Sequence, residues 1–160
     1  MQPKLPLPCI DEILEIKLGE SAIGVRDVNP AEPFFVDHFV NFPVLPGVLM
    51  LEGLSQLSSW HIRLMEDFKN SQIRMTECSP AKFSQLVRPG DKIQFESMLM
   101  SQEGQEYKFK GKVTLGDKNV ATARFKLKSE SLLDVSPNFS HLEADMNAKY
   151  RVILNSIYKK

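Results

Sequence analysis

The sequence predicts an α+β fold in which a curled antiparallel sheet wraps one long central helix. Three observations carry that expectation. From Gly47 to about Phe68 the apolar positions Val48, Leu51, Leu54, Leu57, Leu64 and Phe68 follow helical spacing, and Met50, Trp60 and Ile62 widen the face. Later runs have strand character, with turn signals at Arg88-Pro89-Gly90-Asp91, Glu103-Gly104 and Gly116-Asp117, the rhythm of an antiparallel meander. A helix this apolar must be covered on most sides, so the sheet has to curl around it.

The elements follow in order. Residues 10–28, IDEILEIKLGESAIGVRDV, alternate apolar and polar positions at near period two on both sides of Gly19, which predicts two strands and a turn. The piece DEILEI alone also fits a helical turn. Asn29 to Pro33 punctuates the chain before Phe34 and Phe35. The helix from Gly47 would be about 33 Å long at the standard rise per residue. Strands are then expected over Ser79 to Leu86, Lys92 to Ser101, Tyr107 to Leu115 and Val120 to Lys128, for five or six in all. From Ser129 a polar Ser/Pro stretch leads into Leu142, Met146, Tyr150, Ile153 and Ile157, whose three-to-four spacing predicts a C-terminal helix. Residues 1–128 therefore read as one domain and 129–160 as a helical extension.

Composition narrows the function classes. A chain of 160 residues is large enough to bury a core without staples. Its 20 basic and 20 acidic residues cancel, so no overall field points to nucleic acid or a membrane surface as the main partner. Cys9 and Cys78 lie far apart and form no CxxC pair, which favours free thiols in a reducing compartment. The opening MQPKLPLPC has no long apolar core and three prolines, unlike a signal peptide, and a cytoplasmic protein is the simplest reading. His61 and His141 have no acid or thiol neighbours at metal-ligand spacing, so no metal is expected.

The most informative stretch is FFVDHFVNFPVLPGVLMLEGLSQ, from Phe34 to Gln56. His38 and Glu52 flank a Pro43, Pro46, Gly47 break, after which the long helix carries Glu52 within its first two turns. A base, an acid and a helix N-terminus are thus brought together locally. A histidine after two phenylalanines is on its own more often a packing residue. A glutamate on an apolar helix is costly to bury unpaired, so it asks for a partner or a function unless it is exposed. Gln56, one turn after Glu52, either orients that carboxyl or satisfies a backbone group.

These residues resemble the hot-dog-fold 3-hydroxyacyl-acyl-carrier-protein dehydratases of fatty-acid synthesis, in their glutamate-bearing FabZ branch. The pattern is His38-Phe39, Pro43, Pro46-Gly47-Val48, Glu52 and Gln56. AKFSQLVRPGDKIQFE and KFKGKVTLGDKNVATARFKL extend the similarity, which covers roughly residues 9–128. The family usually places Gly before the histidine and Pro-Gly after His-Phe, where this chain has Asp37, Val40 and Asn41. The usual N-terminal His-Arg-Tyr-Pro-Phe is reduced to Leu5-Pro6-Leu7-Pro8, and the tail beyond about Ser129 has no counterpart in short members.

The resemblance implies a hot-dog domain and a lyase acting on a 3-hydroxyacyl thioester carried by the phosphopantetheine of acyl carrier protein, with no other cofactor. Neutral His38 would remove the C2 proton. Glu52 would protonate the departing hydroxyl, a role favoured by apolar surroundings such as Leu49, Leu51 and the acyl chain. The Gly47 amide at the helix start would face the thioester oxygen. Phe34, Phe35, Phe39, Phe42 and Leu45 have two open readings, as the wall of an acyl tunnel or as core. Lys82, Arg88, Lys108, Lys110 and Lys112 either meet the carrier or form solvated strand faces. The family also implies a homodimer or trimer of dimers, with the acid of one chain facing the histidine of another. A hot-dog thioesterase and a non-catalytic acyl- or carrier-binding subunit stay open as alternatives.

Overall fold

Residues 7–159 are described by a computed structural model, and the Met1–Pro6 segment read above as no signal peptide lies outside them. The first two strands are β1 (Glu12–Lys17) and β2 (Ser21–Asp27). A 3-10 turn, Pro33–Val36, precedes helix α1 (Gly47–Met65). Four strands follow, β3 (Gln72–Phe83), β4 (Lys92–Glu103), β5 (Glu106–Leu115) and β6 (Lys118–Glu130), and the chain closes with α2 (Ser140–Ile157). All pairings are antiparallel, in the order β1-β2-β4-β5-β6-β3, so β1 and β3 form the two edges. The six-stranded sheet curled around one helix is the hot-dog architecture.

Two register rows across the sheet explain how the helix fits inside it. One row runs Ala22, Ser97, Gly111, Ala123 and Ala81, all small residues. A side chain at Gly111 would come within 2.7 Å of Leu54, so this row is the trough in which α1 lies. The next row runs Gly24, Phe95, Val113, Ala121 and Phe83. Phe95 presses on Gly53 of α1, where an added Cβ would lie 2.4 Å from the ring. Leu54, Leu57, Ile62, Ile93, Phe95 and Leu127 are fully buried, each worth about 1.5–3 kcal/mol. The helix is wrapped because its girth is apolar, as its spacing predicts.

Two boundaries differ from the sequence reading. Helix α1 stops at Met65 rather than near Phe68, since Asp67 and Phe68 turn into the left-handed region at φ 49° and 56°. There Glu66 accepts hydrogen bonds from the hydroxyls of Tyr107 and Ser129, both at 2.7 Å, which pins the helix end to β5 and β6. Strand β3 begins at Gln72 instead of Ser79 and ends at Phe83, leaving Leu86 exposed in the next loop. Register breaks between Met75 and Glu77 and between Cys78 and Ala81 interrupt its alternation and hide its length in the sequence.

The helix predicted in the tail forms α2 and packs on the C-terminal end of α1. Buried Glu143 accepts the amide protons of Ser71, at 2.7 Å, and Leu132. The buried guanidinium of Arg63 lies 3.9 Å from the Tyr150 ring centroid and 5.4 Å from that of Trp60. Arg151 donates to the Asp67 carbonyl at 2.9 Å and covers the Phe68 ring.

Candidate active site

His38 follows the Pro33–Val36 turn, and its backbone amide donates to the Phe34 carbonyl at 3.0 Å. Its ring Nδ1 lies 2.8 Å from the carbonyl oxygen of Val44. A carbonyl only accepts, so Nδ1 carries a proton, and in the neutral imidazole this tautomer leaves Nε2 as the proton acceptor. The next residue, Phe39, takes φ 57° and packs edge-on against the imidazole with centroids 4.7 Å apart. The left-handed turn at a non-glycine residue sends the chain back so that Val44 reaches His38.

Glu52 lies on α1 and is half-buried. Gln56, one turn on, donates from Nε2 to Glu52 Oε1 at 2.8 Å and to the Leu7 carbonyl at 2.7 Å. Its Oε1 accepts from the Cys9 amide at 2.8 Å. Cys9 is fully buried and its thiol is pushed up to about 11 by burial, with Arg26 pulling against that rise and the Glu52 charge adding to it. Arg26 is itself buried and ion-paired to Glu32. Among the described residues no hydrogen bond joins His38 to Glu52 within the chain.

Gly47 opens α1 after Pro46, with no side chain capping the first turn and no acid in it. The Leu49 amide donates to the Pro46 carbonyl at 3.0 Å, which leaves the Gly47 and Val48 amides to face an oxygen that gains negative charge. The Phe83 ring covers this end closely enough that a Cβ at Gly47 would come within 2.9 Å of it. A proton acceptor, a carboxyl and backbone donors together suit proton removal beside a carbonyl, with charge building on its oxygen.

The remaining sequence candidates fall into separate environments. Phe35 and Leu45 are buried in the core, and Phe34 packs against it. Phe39 is 64% exposed and Phe42 46% exposed, the latter with the Arg88 guanidinium 4.7 Å from its ring centroid. Val40, at 74%, and Val48, at 68%, extend the same apolar exposure, with Phe83 and Leu86 also uncovered. Asp37 and Asn41 of the altered loop are exposed. Of the basic candidates, Lys108 pairs with Glu103 and Lys112 with Glu96, while Lys82 and Lys110 line a shallow depression beside Arg124. His61 is fully buried and accepts the Gly19 amide proton through Nε2 at 3.0 Å.

Comparison with known proteins gives the family. The FabA-like domain family matches residues 2–124. The 3-hydroxyacyl-[acyl-carrier-protein] dehydratase FabZ of Thermoanaerobacter sp. (strain X514) is 36% identical over 120 residues, covering 75% of this chain and 84% of that protein. The chain belongs to the FabZ-like branch of the FabA-like family. A FabZ of Rickettsia akari (strain Hartford) is 32% identical over 123 residues, 76% of this chain and 85% of its own. Among solved structures, the dehydratase heterocomplex ApeI:P from Xenorhabdus doucetiae superposes with a TM-score of 0.67 at 12% identity, over 83% of this chain and 90% of that one. Cj0977 from Campylobacter jejuni gives 0.62 at 12% identity, over 82% of this chain and 93% of that one. At such identities the likeness is one of fold, and it is the hot-dog fold. The matched FabA-like region holds His38, Gly47, Glu52, Gln56 and Phe83, while α2 lies beyond it.

Val44, Leu7 and Cys9 are contributors that sequence reasoning missed. Each acts through a backbone group, which leaves no residue-type signal. For Phe83 the Lys-Phe pair in AKFSQLVRPGD gave a signal, but its contact with Gly47 depends on strand register.

Proposed function

We propose that this chain dehydrates a 3-hydroxyacyl thioester carried on acyl carrier protein to the trans-2-enoyl thioester, in fatty-acid or related lipid or polyketide synthesis. The observation that carries the reading is the His38–Val44 hydrogen bond, which leaves Nε2 as a proton acceptor in a chain of the FabZ-like family. His38 Nε2 takes the C2 proton while the Gly47 amide donates a hydrogen bond to the thioester oxygen as charge builds on it. The C3–O bond then breaks, and Glu52 gives its proton to the departing hydroxyl, which leaves as water. The balance closes with an imidazole, a carboxyl and an amide, so we assign no group beyond the substrate's own phosphopantetheine. In this reading residues 1–128 form the dehydratase domain and 129–160 an extension.

We assign the complete site to two protomers. Edge strand β3 and the uncovered Phe39, Val40, Phe42, Val48 and Leu86 are what a second copy would cover, and Phe39 and Val48 adjoin His38 and Gly47 in the chain. Mixing inactive His38→Ala and Glu52→Gln proteins tests this, because exchange of subunits would rebuild intact sites. We place the protein in the cytoplasm on its two free cysteines. No helix among the described residues is long and apolar enough to cross a membrane.

The deciding assay follows enoyl-thioester absorbance and free thiol together. Enoyl absorbance without thiol release supports dehydration. Thiol release with free acid identifies a thioesterase, and neither signal across several chain lengths identifies a binding subunit.

A further inference from the structure

The Gln56 side chain is saturated in a way that fixes its orientation. Its two Nε2 protons go to Glu52 Oε1 and the Leu7 carbonyl, and its Oε1 faces the Cys9 amide. Turning the amide over would set oxygen against two acceptors and nitrogen against a donor, losing all three bonds. The 7–10 segment that supplies the backbone groups is anchored at its Cys9–Ile10 end, while Leu7 and Pro8 are exposed. Cys9 and Ile10 are buried, and Ile10 packs so closely on Gly24 that a Cβ there would lie 3.2 Å from its methyl. The Asp11 amide then joins the Val25 carbonyl at 2.9 Å, tying the segment to β2.

We propose that Gln56 is a positioning residue that selects which oxygen of Glu52 carries the acid proton. Oε1 always faces a donor, so a proton on Oε1 would confront the Gln56 N–H, and the proton resides on Oε2. Among the described residues Oε2 has no partner, so it is the oxygen that meets the leaving hydroxyl. The 7–10 segment is thereby part of the site, since it keeps Gln56 from rotating. This rests on Glu52 being the acid of the proposed reaction and adds how its proton is directed.

The test uses the full chain with Gln56→Ala and the isosteric Gln56→Glu. Gln56→Ala should lower kcat at least tenfold with KM within twofold, in protein that melts within a few degrees of wild type. Gln56→Glu should be as impaired at pH 8, and its activity relative to wild type should recover toward pH 5.5, where its own carboxyl regains a proton to donate. Unchanged kcat in Gln56→Ala, a loss confined to KM, or a pH-independent Gln56→Glu deficit would overturn the proposal. Carboxyl 13C NMR reads the same bond without turnover. Gln56→Ala should displace the Glu52 resonance, and an unmoved resonance would overturn the proposal even if the dehydratase reading had already failed.

Discussion

The ring of Phe83 occupies the space that a side chain on Gly47 would need. Three ring carbons lie 2.9–3.1 Å from the position of that missing Cβ. Glycine at the start of α1 therefore lets an aromatic wall share one place with the Gly47 and Val48 amides. The wall is brought there by the row Gly24, Phe95, Val113, Ala121 and Phe83, whose other members are sheet interior.

Gly47→Ala should consequently cost activity more than stability, because Phe83 is half-exposed and can swing outward. We expect kcat to fall on the order of a hundredfold, as for an approximately 1 Å displacement at a reacting centre. The double variant Gly47→Ala/Phe83→Ala should recover part of the loss. Steady-state kinetics of the pair checks both statements.

Gly53→Ala should behave in the opposite way. Its Cβ would meet Phe95 at 2.4 and 2.5 Å, and Phe95 is fully buried with no outward path. Overpacking of this kind costs about 1–3 kcal/mol. Thermal unfolding should show a lower Tm, by about 2–4 °C for each kcal/mol in a chain of this size.

One buried carboxylate ties α2 to two backbone amides. Glu143 satisfies the buried amide of Ser71 and the part-buried amide of Leu132, so Glu143→Ala leaves both without a partner. A loss of about 1–3 kcal/mol for each orphaned group sets the scale, and urea unfolding of the variant measures it.

Stability should also depend on pH through His61. Burial holds its imidazole below the ordinary value, so the folded protein keeps it neutral where the unfolded chain protonates it near pH 6.5. The unfolded state then binds more protons, and stability falls as pH drops below about 6.5, by up to about 1.4 kcal/mol per unit, until the folded-state value is reached. Above about pH 7 this contribution is flat. His61→Gln, which still offers an oxygen to the Gly19 amide, should flatten the difference in urea unfolding between pH 7 and pH 5.

What the sequence disclosed follows from where information sits in a chain. The long helix was legible because its girth is apolar, and the meander because glycine and proline mark its turns. His38 and Glu52 stood out because their chemistry is in the residue type, and Gly47 because Pro46-Gly47 marks the start of a helix. The carbonyls of Val44 and Leu7 and the amide of Cys9 were illegible, since every residue but proline carries both groups. The start of β3 was hidden because two bulges break its period. The C-terminal helix showed in its spacing, whereas its attachment through Glu143 joins residues more than seventy positions apart and has no local pattern.

The most direct test is the mass of a 3-hydroxyacyl carrier-protein thioester after incubation with wild-type protein, His38→Ala and Glu52→Gln. The account predicts loss of one water with wild type, and rates lower by about 10²–10⁴ in each folded variant. Water loss at the wild-type rate in His38→Ala, or release of free acid by the wild type, would contradict it.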